Sequence, residues 1–344
     1  MSRDRTTGAL RQDSARVPAA EWFAGGQRIP YDPEFARVLT EKEAAEAPGA
    51  LRVFERVAGA GDDPDAVWLT LLPGFPDGSY GWAQVDRMLG DGLGPRLYVE
   101  PVGQGDSDKP RDYPYSTVER ADLVEALWRH HSASHRRGHL RLHLVGAARG
   151  AAPSAGADRF RRHRQASDHG RIHDQRRPVR RRTHPPVAGH APAAQPAGRP
   201  RYETRSPRGF DSGWRRARMY SRSHHPTPAE LAELWSAITR RDGAAFLHNA
   251  AGFVSEHRRH ADRWDLAAIA RDAGGTVPFY VGGSDEDPYE YRQISATRER
   301  VPQAEVLTFP GGHLTTSEHP DLLAAAIRDI ASRHGVGTPA AAHR

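Results

Sequence analysis

Two stretches of the chain alternate strand-like apolar segments with helix-like segments, and a long segment between them shows neither pattern. From Leu51 to Trp128, LRVFERVAG, AVWLTLLPG and PRLYVEPVG are typical of strands, and TVERADLVEALWRHH has helical spacing. From Phe210 to Arg333, TVPFYVGG and AEVLTFPGG are typical of strands, and TPAELAELWSAITRRDGAAFLHNAAGFV and HPDLLAAAIRDIASRHG are typical of helices. This alternation predicts an α/β fold, a mostly parallel sheet flanked by helices.

The segment between them, from Ser132 to Gly209, consists mainly of Arg, Ala, Pro, His and Gly and has no sustained period. We expect it to be irregular or disordered. It holds 18 arginines, no lysine and four acids, while acids outnumber bases in the rest of the chain. The calculated pI of about 9.8 therefore originates in this one segment. Non-specific nucleic-acid binding by the segment is an alternative function, although we do not expect nucleic acid as a partner.

The absence of cysteine excludes disulfides, thiolate metal sites and a cysteine nucleophile, and it fits a reducing compartment. The N-terminus lacks the apolar core of a signal peptide, and no apolar run is long enough to cross a bilayer, so we expect a cytoplasmic protein. His135, His139 and His143 have a spacing that would align three imidazoles on a helix. Gly138 and the lack of nearby carboxylates argue against a metal site, and we expect no metal.

Four motifs that follow predicted strands have the order of the α/β-hydrolase machinery. They are an oxyanion turn, a glycine-rich loop, an acid and a histidine, in LLPGFPDGSYGW, EPVGQGDSDKP, VGGSDEDP and PGGHLTTSEHP. With VEALWRHH, AELAELWSAITRRDGAAFLHN and RRHADRW, these motifs resemble the epoxide-hydrolase and haloalkane-dehalogenase branch of the α/β-hydrolase superfamily, and most of all the mesoderm-specific-transcript-like hydrolases. The resemblance covers residues 65–131 and 219–330.

The resemblance implies catalytic roles for three residues. His313 would be the general base, and Asp287, directly before Pro288, would be the acid that orients it, with Asp285 as the alternative acid. Helix capping is the other interpretation of either aspartate. The chemistry implied is hydrolysis of an epoxide, a carbon–halogen bond or a small ester, without a cofactor, on a small apolar or ester-like substrate.

The same resemblance implies an oxyanion site and an apolar pocket. The backbone of Gly74 and Phe75 would form the oxyanion turn, in which Pro73 replaces the family's usual histidine. The pocket candidates are all aromatic, and each is also compatible with ordinary core packing; they are Trp82, Trp235, Tyr220 and Phe253.

The nucleophile is the missing part of this machinery. In RLHLVGAARGAAPSAG, the turn that resembles a nucleophile elbow has Ala148 at the attacking position, and Ser154 lies too far beyond it. The chain is therefore expected to be weakly active or inactive, and a non-catalytic pseudoenzyme is the alternative.

A frameshift offers a second explanation of the same segment. With GC-rich codons, a one-base shift converts residues 139–143 into Thr-Phe-Asp-Tyr-Thr, which supplies an aspartate nucleophile. The same shift converts residues 174–180 into Thr-Asn-Gly-Gly-Leu-Phe-Ala. Our hypothesis is that one frameshift near Ser132 removed the nucleophile and that a second one before Phe210 restored the frame.

These inferences divide the chain into six parts. They are a loose lead-in (1–49), the N-terminal half of the hydrolase core (50–131), the irregular basic segment in place of the nucleophile strand and early lid (132–209), the remaining helical lid (210–265), the C-terminal half of the core (266–334) and a tail (335–344).

Overall fold

Strands and helices alternate along the parts of the chain that the structure describes. The structure is a computed structural model and describes residues 16–59, 66–74, 78–110, 113, 115–132, 144–145, 219–242, 266–272, 278–287 and 290–336. The strands are β1 (Gln27–Asp32), β2 (Arg37–Val38), β3 (Leu51–Ala58), β4 (Leu69–Leu72), β5 (Arg96–Glu100), β6 (Leu144–Val145), β7 (Tyr280–Ser284) and β8 (Glu305–Phe309).

The helices of these residues include several that are only one or two turns long. They are α1 (Ala19–Ala24), α2 (Glu41–Glu46), α3 (Ala83–Leu89), α4 (Thr117–Ser132), α5 (Pro228–Thr239), α6 (Leu266–Asp272), α7 (Glu290–Arg300), α8 (Thr315–Glu318) and α9 (Pro320–Arg333). Single 3₁₀ turns lie at Gly78–Trp82, Asp91–Leu93 and Arg240–Asp242.

Six strands form one sheet in the order β2-β1-β3-β5-β4-β6, and β7 and β8 pair separately. The pairs β4–β5, β4–β6 and β7–β8 are parallel, whereas β1–β2, β1–β3 and β3–β5 are antiparallel. The expectation of a mostly parallel sheet therefore holds only for the strands next to the candidate site, and the six-stranded sheet is mixed. The link between β1 and β2 is too short for the crossover connection that parallel strands require.

The N-terminal segment is the main departure from the expected domain organisation. Residues 16–49 were expected to belong to a loose lead-in, yet they supply two strands and two helices. Trp22 and Tyr31 are almost completely buried, and β1 pairs with β3 over five residues. This segment is therefore part of the core.

Each face of the central sheet is covered by a separate apolar cluster, because successive strand residues point to opposite faces. On one face, Phe54 and Tyr98 pack with residues of α3 and α9 such as Ile327. On the other face, Val53 and Leu97 pack with Leu123 and other residues of α4. All five residues of β5 are buried, and its three central residues are the apolar Leu97, Tyr98 and Val99.

The loops that carry the candidate site residues lie at the carboxyl ends of the parallel strands. Turns or bends follow β5, β7 and β8, and β7 pairs with β8 in register from Tyr280–Glu305 to Ser284–Phe309. Since paired parallel strands end at the same edge, the loops after Ser284 and Phe309 are adjacent. In open α/β sheets this edge is where ligands bind.

Candidate active site

His313 and Asp287 form the central contact of the candidate site. Nδ1 of His313 lies 2.7 Å from Oδ2 of Asp287, which is hydrogen-bond distance. The Asp287 side chain is 1% exposed and the His313 side chain 16%. A carboxylate accepts the proton of Nδ1, so Nε2 is left as the basic nitrogen. The buried acid therefore fixes both the tautomer and the orientation of the imidazole.

Asp285, the alternative acid, has a different partner. Its Oδ1 accepts a hydrogen bond of 3.0 Å from the backbone N–H of Gly311, two residues before His313. Asp285 is exposed, whereas Asp287 is buried. The geometry thus favours Asp287 as the residue that orients His313 and assigns Asp285 to the backbone of the histidine loop.

The histidine loop needs glycine where it turns. Gly311 has a φ of 103°, in the region that favours glycine, and a Cβ there would lie 2.9 Å from the His319 ring. The backbone N–H of His313 donates to the carbonyl of Met219 at 2.9 Å. The loop is consequently held both by the turn after β7 and by the segment before α5.

The predicted oxyanion turn is only partly within the described residues. Gly74 lies directly beyond β4, and its carbonyl accepts a hydrogen bond of 3.1 Å from Nε2 of Gln104. Phe75, whose backbone N–H was the other oxyanion candidate, lies outside the described residues. The loop after β5 therefore contacts the start of this turn.

A buried carboxylate connects the same loop to the far end of the turn. Glu100 is fully buried and accepts hydrogen bonds from the backbone N–H of Ser79 (3.1 Å), from its hydroxyl (2.8 Å) and from the N–H of Asp106. Burial raises the pKa of Glu100, and these hydrogen bonds lower it again in part. Burial also lowers the pKa of Lys109 to about 8. Ser79, beyond the turn, and Asp106, in the loop after β5, are thus tied to one buried acid.

The aromatic pocket candidates have different environments. Trp82 is 2% exposed, packs in the main core and donates its indole N–H to the carbonyl of Leu72 at 2.9 Å. Its contacts are those of a core residue, which is the other interpretation that the sequence left open for it. Trp235 is half-buried and packs in a small cluster with Tyr220 and Leu314. Phe253 lies outside the described residues.

Tyr220 does border a pocket. Its ring is stacked on His224 with the ring centroids 5.4 Å apart. Burial lowers the pKa of His224, which favours the neutral imidazole. The pocket lies between α3, α5 and the start of α8, and its lining includes Tyr80, Gln84, Tyr220, His224, Leu234 and Leu314.

The nucleophile position follows a strand that the structure does contain. Leu144 and Val145 form β6, which pairs in parallel with Leu71 and Leu72 of β4. A nucleophile elbow is a strand-to-helix turn at this edge of the sheet. Ala148 and Ser154, which come next, lie outside the described residues, as do His135, His139 and His143.

Neither a metal site nor a membrane-spanning helix is found within the described residues. No group of three or more His, Cys, Asp or Glu side chains there is arranged to hold a metal ion. None of the described helices combines the length and apolarity that crossing a membrane requires.

Two buried acids near the site were missed by sequence reasoning. Glu100 ends a completely buried strand, and Glu318 ends the short helix that follows His313. An acid at the end of an apolar strand is the signal that points to Glu100. Glu318 carries no such signal, because one of its two partners, Ser221, is 97 residues away in the sequence.

Comparison with known proteins places the chain among hydrolase folds. No family model matches the chain. The putative hydrolase LipZ of Mycobacterium tuberculosis is 28% identical over 287 residues, which cover 80% of this chain and 90% of LipZ. The mesoderm-specific transcript homolog protein of Homo sapiens is 38% identical over 97 residues, 28% of each chain.

Solved structures agree on the architecture. An α/β-hydrolase fold protein from Burkholderia ambifaria has a TM-score of 0.52 and 18% identity, with 81% of this chain and 94% of that one covered. The haloalkane dehalogenase DatA from Agrobacterium tumefaciens C58 has a TM-score of 0.54 and 14% identity, with 90% and 97% covered. These likenesses confirm the predicted α/β-hydrolase fold.

Proposed function

We propose that this chain, which has the α/β-hydrolase fold, carries the water-activating half of a hydrolase site and lacks the nucleophile that completes it. The observation that carries the proposal is the 2.7 Å contact between Nδ1 of His313 and the buried carboxylate of Asp287. Its similarity to LipZ over most of both chains supports a hydrolase. The family resemblance supports an epoxide, a carbon–halogen bond or a small ester as the target.

In the complete reaction, His313 acts in the second step. An aspartate carboxylate first attacks a substrate carbon, so that a carbon–oxygen bond forms and the halide or alkoxide leaves with the electron pair. Nε2 of His313 then takes a proton from water, and the resulting hydroxide attacks the carbonyl carbon of the ester. The imidazolium that forms is stabilised by Asp287. Collapse of the tetrahedral intermediate expels the alkoxide, which takes the proton from Nε2 of His313 and leaves as the alcohol. The carboxyl group then loses its proton to water, so that the aspartate and the neutral imidazole are both regenerated.

The turn at Gly74 would stabilise the charge that develops on the ester oxygen. Backbone N–H groups that are already oriented lower the barrier because they need no reorganisation during the reaction. The contacts from Gln104 to Gly74 and from Glu100 to Ser79 hold the residues on either side of this turn. Tyr220 and Trp235 would form part of an apolar wall for the substrate.

The chain as written places Ala148 where the attacking residue belongs. A methyl group has no lone pair, so the first step of the reaction cannot occur and activity should be very low or absent. A non-catalytic pseudoenzyme is the alternative that Ala148 favours. A shifted reading frame that supplies Thr-Phe-Asp-Tyr instead accounts both for the missing aspartate and for the Arg-rich segment.

Sequencing the gene from the codon for Leu127 to the codon for Met219 tests the origin of this defect. If the frame is shifted, the frame-restored protein should hydrolyse styrene oxide, 1-bromobutane or 4-nitrophenyl acetate. His313→Ala in that protein should lower the hydrolysis rate by about 10²–10⁴-fold, as expected for loss of a general base. If the frame stands as given, the aspartate mechanism is wrong for this protein and the non-catalytic alternative replaces it.

A further inference from the structure

The backbone of the histidine loop is held by three separate acceptors. The N–H of Gly311 donates to Oδ1 of Asp285 at 3.0 Å, and the N–H of His313 donates to the carbonyl of Met219 at 2.9 Å. Between them, the N–H of Gly312 donates to Oε1 of Glu318 at 3.2 Å. Three consecutive N–H groups therefore have partners on three different parts of the chain.

Glu318 differs from the other two acceptors because one of its oxygens serves two segments. Oε1 also accepts a hydrogen bond of 3.1 Å from the backbone N–H of Ser221. Ser221 and Glu318 are 97 residues apart in the sequence. A single carboxylate oxygen thus joins the histidine loop to the segment Met219–Ser221, whose first residue accepts the N–H of His313.

The two segments are in direct backbone contact at Gly312. A Cβ at this position would lie 2.5 Å from the nitrogen of Ser221 and 2.6 Å from the carbonyl carbon of Tyr220. Real Cβ atoms essentially never come this close to backbone atoms, so the loop can approach the segment only with glycine here. The carboxylate of Glu318 lies at the same contact, since a Cβ at Gly312 would also lie 2.8 Å from its Oε1.

The burial of Glu318 calls for an explanation beyond packing. The residue is 7% exposed, and its second oxygen, Oε2, has no hydrogen-bond partner among the residues that the structure describes. A buried carboxylate is unfavourable unless its hydrogen bonds compensate for lost hydration. Among the described residues, its carboxylate accepts hydrogen bonds from the N–H groups of Gly312 and Ser221 and interacts electrostatically with His224. The carboxylate of Glu318 thus orders the two backbone segments that contain Gly312 and Ser221.

We propose that Glu318 is a positioning residue that holds the His313 imidazole in register with Asp287. It acts through the backbone, by fixing Gly312 and the Met219–Ser221 segment on either side of His313. The inference rests on the proposed role of His313 as the base, but the contacts themselves do not depend on any catalytic activity.

Two variants separate hydrogen-bond acceptance from shape. Glu318→Met keeps an unbranched side chain of similar length but cannot accept the two N–H groups. In Glu318→Gln, the amide oxygen can accept the same two N–H groups. The NH₂ group takes the place of Oε2, which has no hydrogen-bond partner among the described residues. We expect Glu318→Gln to behave like the unaltered protein and Glu318→Met to lose the positioning of His313.

Amide hydrogen exchange of the unaltered full-length chain and both variants, followed by NMR, reads out the contacts. In Glu318→Met the amides of Gly312 and Ser221 should exchange at least about tenfold faster, as expected when a persistent hydrogen bond is lost. The amide of Gly311, whose acceptor is Asp285, is the internal control and should change little.

The proton on Nδ1 of His313 reads out the consequence for the site. Its downfield resonance, identified by its absence in His313→Gln, should broaden or disappear in Glu318→Met and persist in Glu318→Gln. Unchanged exchange at Gly312 and Ser221, or an unchanged Nδ1 resonance in Glu318→Met, would overturn the proposal. If Glu318→Met does not fold, a folded Glu318→Gln protein without the resonance overturns it as well. If the unaltered chain keeps the resonance and also hydrolyses substrates well above the rate of His313→Ala, the proposed function is contradicted and the positioning role stays intact.

Discussion

Asp285 and Asp287 are two residues apart but have different environments. Asp285 is exposed and binds the backbone of Gly311, whereas Asp287 is buried and binds the imidazole of His313. The turn after β7 separates them, because the N–H of Asp287 closes that turn onto the carbonyl of Ser284. The sequence alone left both acids open as partners of His313, since a spacing of two residues in a turn does not determine which side chain points inward.

Replacing each aspartate tests this division. Asp287→Ala removes the acceptor of the Nδ1 proton, so the downfield resonance of His313 should vanish because the proton then exchanges rapidly with water. Asp285→Ala is the matched control and should retain the resonance while the exchange of the Gly311 amide accelerates. Loss of the resonance in Asp285→Ala together with its retention in Asp287→Ala would reverse the assignment of the two acids.

Glu119, on α4, makes the stability of the protein depend on pH. Burial is the largest cause that raises its pKa to about 7, and an interaction with Tyr113 offsets part of the increase. In the unfolded chain the pKa of a glutamate is near 4.5. The folded state therefore binds the proton more tightly, and the free energy of unfolding falls as pH rises from 4.5 to about 7.

Glu119→Gln should remove this dependence, because the amide has no proton to lose. We expect the variant to be more stable than the unaltered protein by roughly 2–4 kcal/mol at pH 8, because the pKa rises from 4.5 to about 7 and each unit corresponds to 1.36 kcal/mol. At pH 4 the two proteins should be similar. Urea unfolding at both pH values measures the difference, and equal stability at pH 8 would show that the carboxylate is not penalised in the folded state.

At the scale of elements, α5 is attached to the core at both ends. Near its first turn, Glu230 pairs with Arg16, and Glu233 accepts the N–H of Ala19 at 2.7 Å. Beyond its last turn, Arg240 and Arg241 each place Nε 3.1 Å from Oδ1 of Asp106. Two guanidinium groups on one oxygen hold this end of the helix to the loop after β5.

Asp106→Asn should release the second attachment, because a neutral amide attracts the two guanidinium groups less strongly. Arg241 has a φ of 49°, an unfavourable conformation for a residue other than glycine, so it should relax once freed. Limited trypsin digestion should then cleave after Arg240 and Arg241 several-fold faster. Cleavage after Arg333, which pairs with Glu305, is the internal control. If cleavage after Arg240 and Arg241 is no faster in Asp106→Asn than in the unaltered protein, the attachment through Asp106 is contradicted.

Elements with local signals were predicted well, and elements that depend on distant partners were not. β3, β5, β7 and β8 lie within the predicted apolar segments because burial requires apolar side chains regardless of the partner strand. β1, with the sequence QRIPYD, lacks such a run, and it becomes a strand by pairing with β3 more than 20 residues away. Propensity within a short window cannot register that pairing.

The candidate site shows the same limit. The proximity of His313 and Asp287 was predictable because each follows a strand in a motif whose order is readable along the chain, and their catalytic roles stay a proposal. The contact of Glu318 with Ser221 was not, since it joins segments that only the folded chain brings together. For Trp82 the sequence left both the pocket and the core open. An aromatic residue after such a turn gives the same pattern whether its side chain faces substrate or the core.

At the scale of the whole molecule, the described residues on both sides of the Arg-rich segment form elements of an α/β fold. The composition of that segment, residues 132–209, is not typical of a folded domain. The sheet order and the His313–Asp287 pair rest on residues outside 146–218. The described residues thus bring His313 and Asp287 together in a recognisable fold. On the proposed mechanism, Ala148 occupies the sequence position that should supply the attacking residue.

The most direct test is the rate at which the purified chain hydrolyses 4-nitrophenyl acetate, styrene oxide and 1-bromobutane, measured beside His313→Ala. The account predicts equal and near-background rates for the two proteins, because an intact base cannot compensate for an absent nucleophile. A rate for the unaltered chain more than about tenfold above that of His313→Ala would contradict it, since a complete catalytic site would then exist despite Ala148.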